Sequence, residues 1–107
     1  MAWNEVAFSY KQIEDFLSIV ALAHYEARKL LPFGSVPYKC FCTGFYFFAW
    51  GIKEELAPAV AEELLNLAVR VEALALHPSD AIWDQNAGEA RRLLTRYFEG
   101  DRKHPRQ

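Results

Sequence analysis

No run of residues in this chain is both apolar and long enough to cross a membrane. The uncharged stretch from Phe41 to Ile52 is about 12 residues long, and a span needs roughly 20. The start, Met1-Ala2-Trp3-Asn4-Glu5, has neither a basic nor an apolar segment, so no secretory signal is expected. Cysteine is scarce: Cys40 and Cys42 are the only two. One residue apart, they cannot form an unstrained bridge. A disulfide framework is thereby excluded, and the expected setting is the reducing cytoplasm. The pair also lacks the C-x₂₋₄-C spacing and the second pair of a structural zinc site. Both thiols read as small hydrophobes inside an apolar segment. No metal and no other cofactor is expected.

Excess charge of either sign is also lacking. Lys and Arg number 12 against 14 Asp and Glu, a net charge of −2. That leaves no global attraction to nucleic acid or to a membrane surface. Catalytic signatures are missing as well. There is no H-E-x-x-H, no G-x-S-x-G and no glycine-rich phosphate loop. The Glu-x-x-His pairs of di-iron bundles are absent. His24 could serve as a haem ligand or a base. The plainer reading is a histidine hydrogen-bonded to a neighbouring helix or at the bundle edge. Glu54-Glu55 and Glu62-Glu63 read as solvated helix faces. Nothing singles out an active site, and the chain is not read as an enzyme.

What the chain has is hydrophobic and aromatic bulk. At 107 residues with 52% hydrophobic side chains, it fits a single globular domain. Its densest segment is Phe41–Ile52, with six aromatic rings and no charge. At about 25 cal/mol per Å² of apolar area, no other segment offers as much burial energy. Phe41, Phe45, Phe48, Ile52 and Leu56 recur at steps of three and four, which favours a helix over a strand. Gly44 and Gly51 are seven residues apart and share a face. They read as a site of close helix–helix approach, or as the floor of an apolar pocket.

Around this segment the pattern predicts three more helices. Ser9 and Gln12 have capping-box spacing, with Phe8 and Ile13 placed as a hydrophobic staple. The first helix is therefore expected over Tyr10–Leu30, with Pro32 and Gly34 ending it. Pro58 opens a helix over Ala59–Leu76, with Val60, Leu64, Leu67, Val71 and Leu74 inside. Ser79 or Asp80 caps the last segment. Asn86, Gly88 and Glu89 predict either a second start there or a kink. Gly100 closes that helix, and residues 101–107 read as a flexible polar tail. The expected fold is all-α: a single four-helix bundle-like domain over residues 1–100, with the aromatic-rich second helix at its centre.

The functional expectation follows from a good core without site chemistry. It is a non-enzymatic interaction module (an adaptor, regulator, inhibitor or immunity-type protein) that self-associates as a dimer or docks a protein partner. Trp3, Phe33, Tyr38, Tyr46, Phe47, Trp50 and Trp83 exceed what short helices bury easily and are the interface candidates. Residues 54–86 are acidic, so Glu62 and Glu63 join them as a candidate docking face. One alternative is a bundle that binds an apolar small ligand. Another is weak nucleic-acid binding through Arg91, Arg92, Arg96, Arg102 and Lys103, although no recognised motif surrounds them.

Overall fold

A computed structural model describes the backbone of residues 2–99 and the side chains of residues 9–98. The side chain of Trp3, together with Arg102, Lys103 and the expected tail, lies outside the described residues. The described residues form five α-helices: α1 (Ala2–Val20), α2 (His24–Leu30), α3 (Val36–Ile52), α4 (Pro58–Ala73) and α5 (Asp80–Leu93). A 3₁₀ turn, Lys53–Glu55, follows α3. A wide π-type turn, Leu94–Glu99, extends α5. No strand occurs among the described residues.

Local chemistry accounts for most helix starts. Gly34 takes a φ of +71°, a conformation glycine adopts at no steric cost. Ser35 then caps α3, its Oγ accepting from the Tyr38 N–H at 3.3 Å. Pro37 and Pro58 lie in the first turns of α3 and α4, where a missing N–H costs nothing. Ser79 caps α5 by accepting from the Ile82 N–H at 3.2 Å. From there α5 runs unbroken to Leu93. The second start expected at Asn86–Glu89 does not occur. Asn86 is buried within the helix, and Glu89 forms an ion pair with Arg70 of α4.

The expected first helix needs two corrections. It begins at Ala2, so Ser9 lies inside it and cannot act as its N-cap. It also stops at Val20, and α2 is a separate helix. Ala21, Leu22 and Ala23 are not helix breakers. The break is held from outside by α5. A helix end leaves carbonyls without intrahelical partners. Arg91 donates to the Ala21 carbonyl, and Trp83 Nε1 donates to the Leu22 carbonyl at 2.9 Å. Ala23, the residue before α2, has no capping side chain. Asp84 of α5 takes that role, accepting from the His24 backbone N–H at 3.0 Å and meeting its Nδ1 at 2.8 Å. Arg28 of α2 pairs with Asp80.

This clamp has a pH signature. The hydrogen bonds from His24, side chain first and backbone second, hold the Asp84 carboxyl below the usual carboxylate range. A carboxylate with a depressed folded pKa stabilises the fold above its unfolded value, about 3.9. That contribution disappears as pH falls through the folded value. Asp84→Asn should therefore be less stable than wild type at neutral pH, with the gap closing below about pH 4. Urea midpoints across this range test it; a gap of constant size would show that the carboxylate charge is not what caps α2.

The helices pack in a ring. α3 lies most extensively on α4, α4 on α5, α5 on α1, and α1 on α3. Phe45 (0% exposed), Leu17, Leu64, Leu67, Val71 and Ala90 form the centre. Phe16 of α1 joins α1 to α3 by contacts with Phe41, Phe45 and Phe48 at ring-centroid distances of 5.4, 5.7 and 5.5 Å. The closing π-type turn brings Phe98 onto Tyr10, centroids 5.5 Å apart. Among the described residues no helix is long and apolar enough to cross a membrane.

Candidate functional site

α3 has 17 residues and a single charge, Lys39. Its inner side is turned from the expected one: Tyr38, Cys42, Phe45, Ala49 and Ile52 are buried, while Phe41 and Phe48 of the expected stripe are only partly buried. Its outer side is apolar as well. Val36 is 72% exposed, Phe47 61% and Trp50 54%. Cys40, between them on the same face, is also exposed. Half-buried Tyr46 meets Phe47 edge-on at 5.5 Å and stacks on Trp50 at 6.5 Å. Lys53 sets its ammonium 4.9 Å from the centre of the Trp50 ring.

A helix that is apolar all round is ordinarily buried all round. Here the sheltered position expected for this helix is only half realised, because one side faces outward. An aromatic side chain carries about 150–250 Å². Partial exposure of Phe47, Trp50, Tyr46, Val36 and Cys40 thus amounts to roughly 300–400 Å² of apolar surface, the size of the largest apolar patch on a typical monomer, which is often functional.

The glycines extend this surface. At Gly44 and Gly51 an added Cβ would meet nothing within 4 Å, so neither marks a close helix–helix contact as expected. At 100° per residue both fall between Phe47 on one side and Phe41 and Phe48 on the other. Beyond them a groove of about 360 Å³ between α1 and α3 is lined by Gln12, Asp15, Phe16, Ile19, Phe41 and Phe48. Stripe, notch and groove form one apolar face.

The charges at its ends are placed against the helix dipole. Lys39 sits near the positive end of α3, while Glu54 and Glu55 follow its negative end. Glu54 lies 3.6 Å from Lys53. Among the described residues, neither Lys39 nor Glu55 makes an ion pair.

The other candidate residues are distributed elsewhere. Tyr38 and Trp83 are buried and offer no surface; their rings meet at 5.8 Å, and Trp83 is committed to the Leu22 carbonyl. Phe33 is partly exposed but stacks on Tyr38 at 5.9 Å, with the Arg28 guanidinium 4.3 Å from its ring centre. Glu62 is exposed on α4. Glu63 accepts from Tyr97 Oη at 3.0 Å and from Arg96 at 3.4 Å. Arg92 approaches Glu89 at 3.9 Å, and Arg91 holds the Ala21 carbonyl. The acidic helix and the basic helix are thus neighbours that neutralise part of each other.

The thiols separate. Cys42 is buried, and burial pushes its thiol up to about 12, so it stays protonated and unreactive. Cys40 is exposed, contrary to the expectation of two core cysteines, because it points away from α4 on the outer stripe. Among the described residues no three His, Cys, Asp or Glu are grouped to hold a metal ion. His24 is spent on joining α2 to α5.

Val36 and Cys40 belong to the exposed face but were not among the candidates. The signal was present: Val36, Cys40, Thr43, Phe47 and Trp50 recur at steps of four and three, parallel to the inner stripe. No family model, no characterised protein and no solved structure matches this chain.

Proposed function

We propose that the chain is a non-enzymatic protein-interaction module: a four-helix bundle of α1, α3, α4 and α5 that docks another protein surface on the outer face of α3. The observation carrying this reading is the exposed stripe of Val36, Cys40, Phe47 and Trp50 on a helix whose other side is well buried. Interface centres are enriched in aromatic residues and depleted in charge, and this stripe has both properties. Glu63 is drawn onto Arg96 and Tyr97, so α3 rather than the acidic side of α4 serves as the docking face.

A photo-crosslinking amino acid in place of Phe47 tests the reading. Irradiation of cells expressing the full chain should yield a discrete covalent protein adduct. The same group replacing Val69, which is exposed on α4, should yield none. No adduct from position 47, or equal adducts from both positions, would refute the docking face.

A further inference from the structure

Resting on that docking face, we infer that its occupant is a second copy of this chain, packed with the two α3 helices antiparallel about a two-fold axis beside Phe47. Three features of α3 bear on this arrangement: charge selects the orientation, and shape and area suit it.

The first is charge. Lys39 and Glu55 lie eight residues to either side of Phe47, about 12 Å each way along a helix. A parallel pair would set lysine beside lysine and glutamate beside glutamate. An antiparallel pair sets Lys39 of each copy against Glu54 and Glu55 of the other. These charges oppose the dipole of their own helix, so they do not serve its stability. Across the two-fold they complement one another.

The second is shape. The same axis places exposed Trp50 of one copy beside Thr43 of the other on one flank of Phe47, and Gly44 beside Gly51 on the opposite flank. Gly44 and Gly51 have open space where a side chain would stand. Glycine facing glycine, repeated by symmetry, lets the two helices approach closely along that flank.

The third is area. Roughly 300–400 Å² of apolar surface per copy suits the centre of a standard interface, which buries about 800 Å² per partner and is a little over half apolar. The adjoining groove against Phe16 and Ile19 enlarges it.

Charge reversal tests the arrangement. Lys39→Glu, and separately Glu54→Lys with Glu55→Lys, each place like charges together at two symmetric positions. Both changes suit the dipole of α3, so loss of association cannot be ascribed to loss of that helix. By analytical ultracentrifugation each variant alone should associate at least about tenfold more weakly than wild type. Mixed one to one, they should form a heterodimer as tight as the wild-type dimer. Reversals without effect, or a mixture that stays monomeric, would overturn the antiparallel pairing. A position-47 adduct whose mass is not twice that of the chain would overturn the second copy while leaving the docking face intact. Absence of any adduct would remove both.

Discussion

Trp83→Ala should destabilise this protein more than any surface change. Trp83 is 2% exposed and contacts the rings of Tyr38 and Phe41 at 5.8 and 6.5 Å. Removing so large a buried side chain costs about 3–5 kcal/mol in lost transfer energy and cavity. Its indole N–H also satisfies the Leu22 carbonyl at the α1–α2 break. Small domains have only about 5–15 kcal/mol in total. At about 4–8 °C per kcal/mol, Tm should fall by roughly 12–40 °C. Trp83→Phe separates the two contributions. The phenyl ring retains most of the packing but cannot donate, leaving a cost of about 1–3 kcal/mol. Thermal or urea unfolding of the two variants provides the comparison. A Trp83→Phe variant as stable as wild type would mean that the hydrogen bond to Leu22 contributes nothing.

The same residue shows where the sequence is opaque. Trp83 was legible as large and aromatic, and so as a candidate for a surface surplus. Its indole N–H meets a carbonyl that is free only because α1 stops at Val20, and no residue there signals a stop. The partners that hold the break, Asp80, Trp83, Asp84 and Arg91, lie 52 to 70 positions further on. Local propensity favours a continuous helix; long-range hydrogen bonds outweigh it. Ser9 misled for a related reason. A capping residue is only a cap when the residues before it are not helical, and here α1 already runs from Ala2.

Elsewhere the local rules were sufficient. Pro58, Ser79, Ser35 and Gly34 stand where their backbone chemistry requires. The aromatic segment was legible as a helix because its apolar residues keep steps of three and four. Which side would be buried was harder to read. α3 carries two apolar stripes, and periodicity cannot say that Phe45 faces the core, against Phe16 of α1, while Phe47 faces outward. The glycines were misjudged from the same ambiguity: two small residues on one face look alike whether a backbone approaches or nothing does.

Phe47→Glu should abolish association while leaving the fold nearly unchanged. Phe47 is mostly solvent-exposed, and substitutions at such sites usually shift stability by less than about 0.5 kcal/mol. In the proposed dimer it lies on the axis, so one substitution changes both copies and sets two carboxylates face to face. A central aromatic anchor is worth about 2 kcal/mol or more. Counted twice, this gives about 4 kcal/mol, or roughly a thousandfold in Kd. Sedimentation of wild type and variant reads the change, with circular dichroism confirming equal helix content. A variant that unfolds, or one that associates as well as wild type, would contradict the assignment of Phe47 to an outward-facing interface.

The most direct measurement uses the chain's own chemistry. Cys40 stands on the outer stripe of α3, while Cys42 is buried with its thiol held protonated and serves as an unreactive internal reference. The rate at which a thiol reagent modifies the native protein should therefore report Cys40 alone. With the α3 face closed over by a second copy, that rate falls steeply as protein concentration rises, and Phe47→Glu restores the fast rate at every concentration. A fast rate that is the same for wild type and Phe47→Glu at all concentrations would show that the face stands open.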